Sequence, residues 1–245
     1  MVGTGSAKDY RGKIKAQDLT PYRVKVRESD LLILTPWPRA KEALEALLKV
    51  RMALEAYMEL HPTFGPSLVP VEVEPQAPEI VKRMAQAGQA TGVGPMAAVA
   101  GAIAQAVGEA LTRWEEEVVV ENGGDIYMKT THPRTVALYA GDSPLSMKVG
   151  LRVKSTQGMG VCTSSGRLGH SLSLGQAHSV TAVAPDAALA DAAATALANL
   201  VRGRSHISLA LERAAKIEGL TGAVIILEDQ LGVWGKVELV PLEGP

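Results

Sequence analysis

The chain has 245 residues, 47% hydrophobic and 21% charged, with 25 Lys and Arg against 26 Asp and Glu. That length favours one large domain, which buries roughly 70–75% of its unfolded surface without covalent staples. The charge balance speaks against a general nucleic-acid binder, and a single cysteine rules out an internal disulfide and fits the cell interior.

No stretch resembles a secretory leader and no run of about 18 apolar residues occurs, so a cytoplasmic protein with no membrane and no nucleic-acid partner is expected. Aromatics are scarce at 4%, so the core must come from Leu, Val, Ile, Met and Ala, which suits closely packed helices on a sheet. Residues 1–10 read as a tail and 11–245 as a single domain.

Along the chain, RGKIKAQ, YRVKVRES and DLLILT read as strands within 11–35, ended by PWPRA. From Ala40 to about Leu60 the period is helical, with Ala43, Leu47, Val50, Leu54 and Tyr57 on one stripe and Lys41, Glu45 and Lys49 on another. A Pro-rich connection follows, with a short alternating strand at 68–73, then helices over 77–90 and 95–113. Pro95 suits a first helical turn.

EEEVVVENGGDIYMKT predicts a hairpin around Gly123-Gly124. TVALYAG, MKVGLRVK, GVCT, SLSLG and SVTAVA add short strands. An Ala-rich helix runs from Asp186 to about Val201, another covers HISLALERAAKIE, and AVIILED and VWGKVELV close the chain as strands. Strands dominate 115–185 with helices on either side, so the class is α+β or mixed α/β.

Three constellations carry chemistry. On LADAAATALAN, Asp191, Thr195 and Asn199 fall at i, i+4, i+8, on one face of an otherwise apolar helix. A carboxylate there is costly to bury unless a cation or several hydrogen bonds meet it. With Thr195 it offers hard oxygens for Mg²⁺; capping of a neighbouring helix is the structural alternative. In VENGGDI, the glycines permit close backbone approach, and Asn122, Gly123, Gly124 and Asp125 suit recognition of a ribose or an adenine edge, where a plain hairpin turn is the alternative.

In GVCTSSGRLGHSLSLG, Thr163, Ser164, Ser165 and Gly166 supply hydroxyls and N–H groups for an anion, with His170 nearby as donor or general acid; an ordinary turn histidine is the alternative. GVGPMA mimics a dinucleotide fingerprint but follows a helical pattern instead of a strand. A Ser–His170–Asp125 triad lacks the G-x-S-x-G elbow, Cys162 reads as a buried structural thiol, and the remaining histidines lack zinc spacing.

In order, SVTAVAPDAALADAAATAL, ENGGDI, VCTSSG and GVGPMAAVAGAIAQAVGEAL resemble the ApbE-type FAD:protein FMN transferases. ATGVGPMAAVAGAIA, VENGGDIY and CTSSGRLGHSLSLG are closer still to an uncharacterised ApbE-like branch. The resemblance covers about residues 10–240 for that branch and mainly 90–200 for the transferases.

It implies a T-fold-related α+β domain and a Mg²⁺-dependent enzyme that splits the FAD pyrophosphate, moving FMN to a protein Thr or Ser or releasing FMN and AMP. Asp191 and Thr195 match the family's metal-holding pair, and a backbone carbonyl from about Gly94–Ala97 would join them. GRLGHSLSLG stands where the family has a His-x-Ile-Asp-Pro segment, with His170 for its histidine. A cytoplasmic flavin- or nucleotide-binding protein without catalysis is the alternative function. An acceptor protein and a homodimer are compatible partners.

Overall fold

The structure, a computed structural model, describes residues 18–166 and 175–242. Two strands open it, β1 (Thr20–Val26) and β2 (Ser29–Thr35). Helix α1 (Ala40–Leu60) follows, then α2 (Glu79–Thr91), a 3-10 turn at Pro95–Ala98 and α3 (Val99–Leu111). The hairpin β3 (Val118–Asn122) and β4 (Asp125–Ala137) leads to the long β5 (Val149–Ser164) and to β6 (Ser179–Ala184). Helices α4 (Ala187–Leu200) and α5 (His206–Ala214) precede β7 (Gly222–Leu227), β8 (Gln230–Gly235) and β9 (Glu238–Pro241).

All nine strands among the described residues join one antiparallel sheet in sequence order β1 to β8, with β9 pairing the first part of β5. The class is therefore α+β. The strands expected at MKVGLRVK and GVCT are two parts of β5. The segment 68–73 is no strand: Pro70 removes a ladder donor, and Val71 and Val73 instead pack singly against the helical core. The expected 95–113 helix starts as a 3-10 turn and becomes α-helical only after Ala98. RGKIKAQ, the proposed boundary at residue 11 and most of SLSLG lie outside the described residues. No single helix among the described residues is long and apolar enough to cross a membrane.

The helices cover one face of the sheet. Strand alternation sends Val120, Tyr127, Cys162, Ala182 and Ile225 into this larger core, together with the apolar stripe of α1. The opposite face carries Met128, Leu151, Val161, Val183, Val224 and Ile226, covered by Leu138, Ala140 and Leu145 of the following loop. His178 pins that loop: its Nδ1 accepts the Glu228 N–H at 3.0 Å, and its Nε2 stands 3.1 Å from Asp142.

Helix α4 is the centre of the packing. Asp186 caps its N-terminus, accepting from the Leu189 N–H at 2.9 Å, as expected of such a residue. Eight buried alanines let neighbouring backbones approach it closely. At Gly160 of β5 an added Cβ would stand 2.4 Å from the Ala187 Cα, a contact with backbone that no rotamer relieves. Gly160→Ala is expected to destabilise the protein by roughly 1–3 kcal/mol, the usual cost of overpacking a tight core. A lowered urea midpoint with an unchanged m-value checks it.

Candidate functional site

Three sheet ends and two helices meet on the helical face. The two-residue turn of the β3–β4 hairpin has positive φ at both Gly123 (72°) and Gly124 (110°), the conformation that a type I′ turn requires. A Cβ at Gly123 would meet nothing within 4 Å, so the turn is bare on its outer side. The side chains beside it face inward. Asn122 Nδ2 donates to the Ala100 carbonyl at 3.1 Å, fastening the turn to α3, and the Gly124 N–H donates to Glu121 at 2.7 Å.

Asp125 pairs in register with Cys162 and accepts from the Thr163 N–H at 3.3 Å. Asp191, on α4, accepts from the Gly101 N–H at 2.9 Å. Gly101 lies in the first turn of α3, so a carboxylate from another helix caps that terminus, where the helix dipole favours negative charge. Close approach makes this possible, since a Cβ on Gly101 would stand 2.2 Å from the Ala187 carbonyl oxygen and 2.9 Å from the Asp191 Cβ. The capping alternative for Asp191 is thus realised in the fold.

Capping does not exhaust the electrostatics. Burial pushes the Asp125 carboxyl well above the usual range, and the Asp191 charge pushes it further; Glu121 adds to this. Burial raises Asp191 too, against the lowering effect of the Gly101 and Ala100 N–H groups. The side chains that act most on Asp125 are thus acids, Asp191 first, and both of these carboxylates are buried. Buried like charges of this kind demand a proton or a cation between them. The paired carboxylate oxygens are hard donors of the kind a divalent cation such as Mg²⁺ takes, whereas the α3 N-terminus favours the carboxylate itself.

The alternation of β5 divides the hydroxyl-rich stretch. Cys162 and Ser164 share the helical face with Asp125 and Ser165 lies just beyond the strand end, whereas Thr163 projects to the other face. There the Thr163 hydroxyl bonds that of Thr181 at 2.8 Å. The Gly166 N–H donates to the Ala177 carbonyl at 3.0 Å, and the Thr163 N–H is held by Asp125, so neither N–H is open to an anion. Ser164 Oγ is buried with no partner among the described residues, which leaves it available to a ligand.

Thr195 and Asn199, one and two turns beyond Asp191, are half-buried. His170 lies outside the described residues. Cys162 is fully buried and donates to the Ala187 carbonyl; burial, then Asp125 and Asp191, push its thiol up.

Two features were not anticipated from sequence. The contact of α3 with the site runs through Ala100 and Gly101; Gly94 instead packs against Ser67, where an added Cβ would stand 1.8 Å from its carbonyl oxygen. A second cluster, Asp18, Glu117 and His132, has its ligand atoms within 4.8 Å of one another. Arg134 already occupies both carboxylates, donating to Asp18 at 2.6 Å and Glu117 at 2.7 Å. That bonding lowers Asp18 to about 2. The cluster is an ion-pair network tying the approach to β1 onto β4.

This antiparallel α+β architecture is that of the ApbE-type proteins. The apo flavinyl transferase ApbE of Pseudomonas stutzeri superposes with a TM-score of 0.59 at 13% identity, over 91% of this chain and 94% of that one. The flavin transferase ApbE of Vibrio cholerae gives 0.57 at 13%, over 88% and 96%. A model of the family described as AbpE bacteria matches residues 12–233, and the chain belongs to that family. A UPF0280 protein of Methanocaldococcus jannaschii is 42% identical over 89% of this chain and 92% of its own length. Another, of Methanosarcina acetivorans, is 38% identical over 86% and 85%.

The acid pair has a pH signature. Both carboxyls hold their protons more tightly folded than unfolded, so the native state binds more protons and stability falls as pH rises above the ordinary carboxylate range. Asp125→Asn removes one member and relieves the other. In EDTA, its urea midpoint is expected to exceed that of the parent protein at about pH 8, with the gap closing towards about pH 4. Parallel pH profiles for the two proteins would contradict the coupling.

Proposed function

We propose that the chain is a Mg²⁺-dependent enzyme acting on the pyrophosphate of FAD or a related nucleotide. The reaction is transfer of FMN to a protein Thr or Ser, or hydrolysis of FAD to FMN and AMP. The observation that carries this reading is a pair of buried carboxylates, Asp125 at the hairpin end and Asp191 at the α3 N-terminus, the charge of the second pushing the first carboxyl up. Membership of the family and the ApbE fold support it.

In this reading Asp191, Asp125 and Thr195 would hold the cation. Bound there, it would screen the diphosphate and neutralise charge developing on the leaving phosphate. Gly101 positions Asp191 by fixing one carboxylate oxygen, which leaves the other for the ion. Ser164 would donate its otherwise unpartnered hydroxyl to a phosphate oxygen. The bare Gly123–Gly124 turn would admit the nucleoside, with Asn122 holding the turn in place. Thr163, Ser165 and Gly166 would shape the strand end beside the phosphates, and His170 would act as acid or donor to the departing group.

The alternative, a nucleotide- or flavin-binding protein without catalysis, is favoured by one feature: Asp191 already has a structural duty on Gly101. The two separate cleanly. Incubation of the protein with FAD and Mg²⁺, followed by chromatography of FMN and AMP, is expected to show turnover that EDTA abolishes. Asp191→Asn keeps the bond to Gly101 but lowers the charge, and is expected to cost roughly 10²–10³-fold in rate. Flavin binding without turnover supports the alternative. Neither binding nor turnover with FAD or other nucleoside diphosphates defeats both.

A further inference from the structure

Helix α1 buries one face against the sheet and turns a second apolar row outward. Leu44, Leu48 and Met52, spaced i, i+4, i+8, are 39%, 41% and 67% exposed. Such a row is a ridge of the kind that packs into the grooves of another helix, with two like ridges crossing at about −50°. Contiguous exposed apolar rows mark interaction surfaces, unlike apolar residues scattered singly. The charges around the row decide what covers it.

We infer that this face is a two-fold interface between copies of the chain, the two α1 helices crossing antiparallel with Leu48 on the axis. In such an isologous contact each residue meets the partner residue equally far on the other side of the axis. Leu48 then meets the partner's Leu48, and Leu44 meets the partner's Met52. Lys41 faces the partner's Glu55, and Glu45 faces the partner's Arg51. Apolar meets apolar, and Lys41 and Glu45 each meet an opposite charge, although Arg51 is largely buried and also donates within its own protomer to Ser29, Glu28 and Glu55.

Neighbouring alignments fail this test. An axis at residue 46 sets Lys41 against the partner's Arg51, and one at residue 50 sets Glu45 against the partner's Glu55. A parallel pair sets every charge against itself. Like charges brought together at an interface are costly, so the row specifies one register.

Within a protomer Lys41 is 85% exposed and only loosely paired with Glu45, at 4.0 Å. Glu55 already accepts from Arg27 at 2.8 Å and Arg51 at 2.7 Å, which fixes it as an oriented acceptor on this face. The inference does not rest on the flavin reading, since none of these residues belongs to the candidate site.

Sedimentation velocity over a concentration series tests it. The parent chain is expected to move to twice the chain mass, and Leu48→Glu, which sets two acids on the axis, is expected to hold it at the monomer mass with its far-UV circular dichroism unchanged and its melt no longer dependent on concentration. Leu48→Cys places a thiol on the axis and is expected to form a disulfide-linked dimer under mild oxidation. Glu59→Cys, far from its own copy, is expected not to, and the native Cys162 is buried. Lys41→Glu is expected to weaken the dimer at least tenfold, and Lys41→Arg, which keeps the charge, to leave it intact. A parent chain monomeric at every concentration, a dimer that survives Leu48→Glu, or cross-linking at 59 but not at 48 would each overturn the inference.

Discussion

The close seating of α4 between the sheet and α3 is the constraint from which the other features follow. Eight buried alanines on α4 and glycines at 101 and 160 bring the backbones together. Only at this separation does Asp191 reach the Gly101 N–H while its charge acts on Asp125. Larger residues at these contacts would hold the layers apart, and two acids on separate elements would each be solvated alone. Small side chains thus create the electrostatic problem that a proton or a cation then resolves. The energetic reason is general: buried like charges cost more than a tight core gains, unless something lies between them.

Much of the architecture was legible because its periods are strong. The α1 stripe, the Gly-Gly hairpin and the Ala-rich helix each obey a local rule of spacing or backbone conformation. The misreadings came where local rules give way to neighbours. The valines at 71 and 73 alternate as a strand would, but no sheet edge is offered to them. Pro95 opens a helix as expected, yet the chain needs a 3-10 turn before α3 reaches the axis that points at Asp191.

The site was legible in part. Asp191 stood out because a carboxylate on an alanine helix is anomalous in any fold. Its partner did not: Asp125 reads as a turn residue until register places it opposite Cys162, on the helical side. The same register separates Ser164 from Thr163, which sequence alone grouped as one hydroxyl cluster. Alternation was knowable, but which phase faces the helices depends on pairing with β4 and β6, and that is a property of the sheet. The backbone donors at Ala100 and Gly101 carry no side-chain signature at all.

The long strand β5 is clamped along one edge by β4, and along the other by two separate strands, β9 near its start and β6 near its end. Distortion entering through the chain's last strand therefore meets residues 149–152 first, and passes to 160–164 along β5 and its shared neighbour β4. The segment bearing Ser164 has no direct pairing with the C-terminal strand. A bulky fusion placed beyond β9 should leave the geometry around Asp125 and Asp191 undisturbed.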